Sequence, residues 1–237
     1  MGDHDLTGKN GEAMLGPYLL GPNDTEENGI YTGDAHELAK AIPDESVDLV
    51  FADPVYDRIN DYRWLAETAS RVLKMDRACL AWYGGPHLKE TIGAMDAALT
   101  WVWPLQYTVV AKGRKLIGYN LFVWTTPCLW YRKGAGYPER RIPDTFISHE
   151  RPSSGHKWNK NTGVVTYWMR AFVGKGALVL DPFTGGGTVP AVCKMLGRRY
   201  LAFEIDPEVA QRARDRVRDT QPPLFVPEPE QAALWTT

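Results

Sequence analysis

The stretch Ala177-Leu178-Val179-Leu180-Asp181-Pro182-Phe183-Thr184-Gly185-Gly186-Gly187-Thr188 joins an apolar strand to a helix through a turn with three consecutive glycines. Residues 177–180 predict a buried strand, and residues 189–196 predict a helix. Because glycine has no side chain, the backbone of such a turn lets a ligand approach closely at the carboxyl edge of a sheet. The stretch therefore predicts an α/β fold with a ligand site at residues 181–188.

An acidic residue follows the glycine turn at the distance expected for a ligand that contains ribose. Glu204 lies 19 residues after Gly185, at the end of the next predicted strand, residues 199–205. In doubly wound folds an acid about 20 residues beyond the loop accepts hydrogen bonds from ribose hydroxyls. The third glycine of a dinucleotide-binding G-x-G-x-x-G pattern is replaced by Pro190, which disfavours a pyrophosphate. A compact nucleoside sulfonium cofactor fits this turn better.

A second turn, Asp53-Pro54-Val55-Tyr56, follows the apolar strand Val47–Ala52. It offers a carboxylate and backbone carbonyls as hydrogen-bond acceptors and a tyrosine ring as a stacking surface. These groups suit the exocyclic amine of a flipped base. When they accept hydrogen bonds from both N–H groups, the nitrogen lone pair turns toward an electrophilic methyl group. A D-P-x-Y sequence alone is usually an ordinary turn. Its place after a buried strand, in a chain that also carries the glycine turn, favours a catalytic role.

The whole chain alternates predicted strands and helices, which favours a mostly parallel sheet covered by helices on both faces. Residues 101–111 and 121–131 are predicted to form an antiparallel hairpin at one edge, and residues 134–155 are expected to be a loop. With 237 residues, 44% of them hydrophobic, the chain suits one domain, which we predict over residues 30–220. We expect residues 1–29 to be an irregular arm and residues 221–237 to be a disordered, proline-rich tail.

The two turns together resemble the DNA amino-methyltransferases, which use S-adenosylmethionine to methylate adenine N6 or cytosine N4. Their catalytic motif is D/N/S-P-P-Y/F/W and their cofactor loop is D-P-F-x-G-x-G-T, which residues 181–188 match throughout. The catalytic motif comes about 130 residues before the cofactor loop, which is the circularly permuted order of the β class of that family. The resemblance covers roughly residues 30–218 and implies a methyltransferase-type, Rossmann-like, doubly wound sheet of seven mixed strands.

The resemblance also implies roles for individual residues. Asp181 and its loop would bind the methionine part of the cofactor, Glu204 would bind its ribose, and Asp34 would lie near its adenine amine. The catalytic residues implied are Asp53, Pro54 and Tyr56. The full set of implied cofactor-binding residues is Asp34, Lys160, Asp181, Phe183, Gly185, Gly187, Thr188 and Glu204.

Two departures from the family pattern are visible. Val55 stands where the family usually has a second proline, so the backbone of the catalytic turn is less restricted. The loop at residues 134–155 is short where many relatives carry a substantial target-recognition region. Sequence recognition is therefore expected to be brief, relaxed or shared with another subunit. Relatives of this class often form dimers, which makes a homodimer a further expectation.

Positive charge is concentrated in the middle of the chain. The formal net charge is −2, but residues 106–163 hold ten basic and three acidic side chains, a difference of +7. Aromatic residues alternate with these basic residues, which favours a surface that binds double-stranded DNA. A solvated face is the ordinary explanation of such a charge cluster. The candidate DNA contacts are Lys112, Arg114, Lys115, Arg140, Arg141 and Lys157.

Other features exclude some classes of protein. The chain has no apolar run of about 18 residues that could span a membrane, and its N-terminus does not resemble a signal peptide, so we expect a cytoplasmic protein. Cys79, Cys128 and Cys193 are too widely spaced for a metal site, and buried thiols are expected. In the tail, Gln221, Leu224 and Phe225 resemble the short peptide that docks on bacterial sliding clamps.

These observations predict a DNA methyltransferase that acts on adenine N6, because Asp53 at the first motif position resembles the adenine branch of the family. Cytosine N4 is an alternative target. Two other classes stay open: an RNA or protein amide methyltransferase with a similar motif, and a non-catalytic DNA-binding protein that retains a vestigial cofactor fold. No metal is expected, because methylation of an amine does not require one.

Overall fold

A mixed sheet of eight strands forms the centre of the protein. The computed structural model describes residues 29–110, 113–116, 118, 120–138, 141–149 and 162–221. Its strands are β1 (Gly29–Thr32), β2 (Val47–Ala52), β3 (Leu73–Trp82), β4 (Thr100–Val109), β5 (Arg114–Leu116), β6 (Leu121–Val123), β7 (Thr125–Arg132), β8 (Thr145–Ser148), β9 (Leu178–Asp181) and β10 (Arg199–Glu204). Its helices are α1 (Ala35–Leu38), α2 (Ile59–Val72), α3 (Leu88–Met95), α4 (Thr162–Phe172), α5 (Thr188–Leu196) and α6 (Pro207–Asp219).

The strand order in the central sheet is β1-β10-β9-β2-β3-β7-β4-β8. Strand β7 is antiparallel to both of its neighbours, β3 and β4, and the other neighbouring pairs are parallel. The short strands β5 and β6 form a separate antiparallel hairpin between β4 and β7. The doubly wound, mostly parallel sheet predicted from the sequence is confirmed.

Three helices cover each face of this sheet, because its strands are apolar on both sides. One hydrophobic cluster packs α1, α2 and α3 against the first face, and a second cluster packs α4, α5 and α6 against the other. The three cysteines are buried in these clusters, as predicted. No helix in the described part of the chain is long and apolar enough to cross a membrane.

The sheet has one strand more than the predicted seven. Residues 145–148 were expected to belong to a loop, but they pair in parallel with β4 and form the outer strand β8. The predicted β4–β7 hairpin is present, yet β8 lies outside it, so the hairpin is not the edge. Strand β8 has four residues without a clear alternation of burial. Its pairing with the exposed edge of β4, instead of a local sequence signal, makes it a strand.

The buried carboxylate of Asp48 fixes β2 against its neighbour β9. One Asp48 oxygen accepts a hydrogen bond from the Leu178 amide at 2.9 Å, and the other lies 2.9 Å from the Lys74 ammonium. Because β2 and β9 are paired and parallel, the turns that follow them leave the sheet side by side. These turns are residues 53–56 and 181–188, the catalytic and cofactor turns predicted from the sequence.

Candidate active site

A single cleft of about 970 Å³ lies at the carboxyl edge of the sheet and is lined by both turns. The catalytic candidates Asp53, Pro54 and Tyr56 line it from the end of β2. Seven of the residues from Asp181 to Thr188 line it from the end of β9 and the start of α5. Crevices beyond the carboxyl ends of parallel strands are the usual ligand sites of doubly wound folds. The cleft therefore brings together the two motifs that the sequence separates by about 130 residues.

The catalytic turn is partly buried against the protein and partly exposed to solvent. Pro54 is buried and Asp53 and Tyr56 are half-buried, whereas Val55 is 54% exposed. The Val55 side chain thus faces solvent, so the loss of the family's second proline leaves no hole in the core. The Arg58 amide donates a hydrogen bond to the Val55 carbonyl at 3.0 Å, which closes the turn ahead of α2.

The glycine turn depends on glycine at two positions. Gly185 and Gly187 have φ angles of +49° and +74°, in the left-handed region that favours glycine. At Gly187 a β-carbon would also lie 3.0 Å from the β-carbon of Ala213 on α6. At Gly185 a β-carbon would meet nothing within 4 Å, so the backbone there borders open space in the cleft.

Arg216 on α6 supports the glycine turn from the side away from the cleft. Its guanidinium donates hydrogen bonds to the Gly186 carbonyl at 2.9 Å and to the Thr188 hydroxyl at 3.0 Å. Burial lowers the pKa of Arg216. Sequence reasoning missed this residue, because a single arginine on an amphipathic helix gives no local signal of a partner 30 residues away.

Glu204 ties the end of β10 to the glycine turn. One carboxylate oxygen accepts a hydrogen bond from the Gly185 amide at 3.0 Å, and the other accepts one from the Asp206 amide at 3.0 Å. Its backbone carbonyl accepts from the Gly33 amide at 2.9 Å, which links β10 to the turn after β1. A carboxylate has about four lone-pair sites, so these bonds leave acceptor capacity for ligand hydroxyls.

Asp181 is 3% exposed and lies at the base of the cleft, which it lines. Its carboxyl accepts hydrogen bonds from the Thr184 hydroxyl at 3.0 Å and the Phe183 amide at 3.3 Å. Burial raises the pKa of Asp181 to about 8, and the negative charges of Asp53 and Glu204 add to this, against the two hydrogen bonds, which lower it. The carboxyl is therefore poised to ionise when a cation arrives.

A short aromatic wall joins α1, α2 and the glycine turn. The His36 ring stacks on Trp64 at 4.3 Å between centroids, and Trp64 meets Phe183 edge to face at 5.7 Å. Asp34, the N-cap of α1, is exposed at the cleft rim and accepts from the His36 amide at 2.8 Å. The sequence gives no local sign that Trp64 on α2 contacts His36 on α1.

The cleft is strongly acidic. Among the described lining residues, Arg58 is the only side chain with a permanent positive charge. The acidic lining residues are Asp34, Asp53, Asp57, Asp61, Asp181 and Glu204. Such a lining favours a cationic ligand over a phosphate. S-adenosylmethionine carries a sulfonium and an ammonium group. The acidic lining, the remaining acceptor capacity of Glu204 and the open space beside Gly185 fit this cofactor.

The predicted DNA contacts are described only in part. Lys115 on β5 and Arg141 are exposed, and of Arg114 the backbone alone is described. Strand β4 runs parallel to β3 through their shared neighbour β7, so the β5–β6 hairpin that follows β4 leaves the sheet at the same edge as the cleft. The described residues do not include the DNA candidates Lys112, Arg140 and Lys157, the cofactor candidate Lys160, or the sliding-clamp candidates Leu224 and Phe225. Gln221 is the last described residue.

No group of three or more His, Cys, Asp and Glu side chains that could hold a metal ion occurs within the described ranges. The predicted arm is described from Gly29 onward, where it already forms β1, and the tail only at Gln221.

The chain is similar in sequence to several type II methyltransferases. It is 26% identical to the type II methyltransferase M.BamHI of Bacillus amyloliquefaciens, over 76% of this chain and 55% of that protein. It is 24% identical to the type II methyltransferase M.HinfI of Haemophilus influenzae, over 82% of this chain and 69% of that protein. The chain thus spans little more than half the length of the first of these relatives.

Solved structures share the fold. A crystal structure of the M1.HpyAVI–SAM complex superposes with a TM-score of 0.70 at 20% identity, covering 79% of this chain and 98% of that one. The cytosine-N4-specific PvuII DNA methyltransferase superposes with a TM-score of 0.72 at 17% identity, covering 81% of this chain and 87% of that one. The methyltransferase-type fold inferred from the motifs is confirmed.

A family model described as DNA methylase matches residues 89–215, which is more than half of the chain. The match includes the glycine turn, α5 and Glu204, and it begins after the catalytic turn at residues 53–56. The family uses S-adenosylmethionine as its methyl donor, in agreement with the acidic cleft described above. The chain therefore belongs to the DNA methylase family of S-adenosylmethionine-dependent amino-methyltransferases.

Proposed function

We propose that this protein transfers a methyl group from S-adenosylmethionine to the N6 amine of adenine in double-stranded DNA. The observation that carries the proposal is the shared cleft at the ends of β2 and β9. The Asp53 turn, which offers acceptors for an amine, and the Asp181 turn, which suits a cationic nucleoside, line one cavity. A volume of about 970 Å³ lies at the upper end of the range for small-molecule sites, which leaves room for a cofactor and a flipped base.

The catalytic turn would orient the amine. The Asp53 carboxylate and the Pro54 carbonyl would accept hydrogen bonds from its two N–H groups. These bonds would direct the nitrogen lone pair out of conjugation with the ring. The Tyr56 ring would stack on the base after it leaves the duplex. The bound cofactor supplies the electrophilic methyl group.

The cofactor residues would divide into those that hold the ligand and those that shape the turn. Glu204 would accept from ribose hydroxyls, Asp34 would lie near the adenine amine, and Asp181 would place negative charge under the methionine part. Gly185, Gly187 and Thr188 would give the turn its close backbone approach. Phe183 would border the cofactor on the side where it contacts Trp64 of α2. Lys160 is proposed as a further cofactor contact from the family resemblance.

Adenine is the proposed target because aspartate stands at the first position of the catalytic motif. Cytosine N4 is the alternative target, and nucleoside analysis of the methylated DNA distinguishes the two. The DNA contacts proposed are the basic residues of the central segment, with Lys115 and Arg141 exposed to solvent. A homodimer and a sliding-clamp contact through Gln221, Leu224 and Phe225 are proposed partners; a pull-down in which tail-deleted protein retains the clamp fully would contradict the second.

The test is methyl transfer from radiolabelled S-adenosylmethionine to unmodified genomic DNA, followed by nucleoside analysis. N6-methyladenine in the digest supports the proposal, and N4-methylcytosine redirects it to the other amine. Label in transfer RNA or protein but not in DNA supports the rival methyltransferase class. Cofactor binding without transfer to any DNA supports the non-catalytic alternative. Sequencing of host DNA with modified-base detection then gives the recognition site.

A further inference from the structure

The Tyr56 side chain packs on the bare backbone of Gly84, the second residue after β3. A β-carbon at Gly84 would lie 2.9 Å from the Tyr56 β-carbon, 3.0 Å from its Cδ2 and 3.2 Å from its Cγ. Real side chains do not approach this closely, so any residue other than glycine would displace Tyr56. Both residues line the cleft.

The conformation of Gly84 does not itself require glycine. Its φ and ψ are −88° and 127°, in the extended region that alanine adopts readily. The missing side chain is therefore needed for the space that it leaves to Tyr56. This separates Gly84 from Gly185 and Gly187, whose φ angles are positive.

Neither partner can easily move away from the other. The Trp82 carbonyl accepts a hydrogen bond from the buried Tyr62 hydroxyl at 2.8 Å, which fixes the end of β3 to α2. The Gly84 carbonyl accepts from the His87 amide at 2.9 Å. The nearest Tyr56 atom is its β-carbon, which does not move when the side chain rotates about χ1. A methyl group at position 84 must therefore shift the backbone of the catalytic turn or push the ring toward the cleft.

We propose that Gly84 is a positioning residue that sets the place of the Tyr56 ring, and through it the depth at which a flipped base is held. The proposal rests on the proposed function, in which Tyr56 stacks on the base. It predicts that a change at Gly84, after the end of β3, lowers methyl transfer to DNA without altering the cofactor turn. Gly84 follows a different strand from the glycine turn and lies outside both sequence motifs.

The test compares Gly84→Ala with Gly85→Ala, the adjacent residue. A β-carbon at Gly85 would meet nothing within 4 Å, so this variant controls for the loss of a glycine in the same segment. We expect kcat/KM for DNA to fall by about 10- to 100-fold in Gly84→Ala and to stay unchanged in Gly85→Ala. Cofactor affinity, which also reports folding, should remain within about twofold of wild type in both. A crystal structure should show the Tyr56 ring displaced in Gly84→Ala alone.

Two results would overturn the inference. One is an unmoved Tyr56 ring in Gly84→Ala, which counts whether or not the protein methylates DNA. The other is a displaced ring with kcat/KM equal to that of Gly85→Ala. In a Tyr56→Ala background the extra cost of Gly84→Ala should shrink to less than about threefold, and an undiminished cost would show that Gly84 acts by another route. Absence of DNA methylation in wild type contradicts the proposed function instead, and the ring displacement then decides the packing claim on its own.

Discussion

The Glu204 carboxylate accepts a hydrogen bond from the Gly185 amide at 3.0 Å, across 19 residues of chain. The predicted ribose acceptor is thus also a structural support of the cofactor turn. Its two oxygens each hold a backbone amide, so its removal leaves both Gly185 and Asp206 without that acceptor.

Glu204→Ala is expected to weaken S-adenosylmethionine binding by about 10- to 100-fold, since hydrogen bonds to a charged group contribute about 1.5–3 kcal/mol. Calorimetry on the purified protein measures the effect. The control is Glu208→Ala, a carboxylate in the first turn of α6 that faces solvent and should leave the affinity unchanged. Equal affinities in the two variants would remove the proposed role of Glu204.

Asp53→Ala is expected to reduce methyl transfer by at least about 100-fold, because the amine loses its charged acceptor. Cofactor affinity should be retained, since Glu204 and the glycine turn are untouched. Transfer to genomic DNA and cofactor calorimetry are measured on the same preparation, with Glu67→Ala on the exposed side of α2 as the control. Retained turnover in Asp53→Ala would end the catalytic assignment.

Tyr56→Ala is expected to weaken capture of the flipped base by about 1–3 kcal/mol, which is the contribution of stacking on an aromatic ring. Tyr56→Phe keeps the ring and should behave like wild type. A duplex with 2-aminopurine at the target position reports the extrahelical base by fluorescence, once the recognition site is known. The same fluorescence response in Tyr56→Ala and wild type would count against stacking.

Asp181 is expected to make the free protein less stable as pH rises. Burial raises the pKa of Asp181 from 3.8 to about 8, so the folded state binds more protons than the unfolded state between these values. The free energy of unfolding then decreases as pH rises from about 4 to about 8. Asp181→Asn removes this term, so its thermal stability relative to wild type should be greater at pH 9 than at pH 5, by about 1 kcal/mol or more. A pH-independent difference would show that Asp181 ionises normally.

Gly187→Ala is expected to destabilise the fold by about 1–3 kcal/mol, because a side chain there is strained by the positive φ and crowds Ala213. Gly93→Ala, in α3, is the control: a β-carbon there meets nothing within 4 Å, and alanine favours a helix. Denaturant unfolding measures both. Equal midpoints for the two variants would contradict the role of the α6 contact.

The sequence was informative where burial and local chemistry agree. Strand β2 is buried along its whole length, and the turn that follows it could be placed at the sheet edge from that pattern alone. Strand β8 could not be predicted, because four residues in a proline-containing segment become a strand only when β4 offers its edge. Residues 114–116 were expected to belong to the connection between two strands, but they form β5 by pairing with residues 121–123, the start of the predicted second strand.

Within the site, residues that carry a motif were identified and those that support it were not. Asp53 and Asp181 lie in recognisable turns. Arg216 and Gly84 act through partners far away in the chain, and neither has a local pattern that names its partner. Such contacts depend on how helices and strands pack, which a linear pattern does not contain.

The acidic lining of the cleft has a consequence for turnover. Methyl transfer converts a sulfonium into a neutral thioether, so the spent cofactor has one positive charge fewer than the donor. A cavity rich in carboxylates attracts the charged donor more strongly than the neutralised by-product. We expect the charged donor to displace the spent cofactor readily, and neutralising Asp181 should narrow the difference between their two dissociation constants.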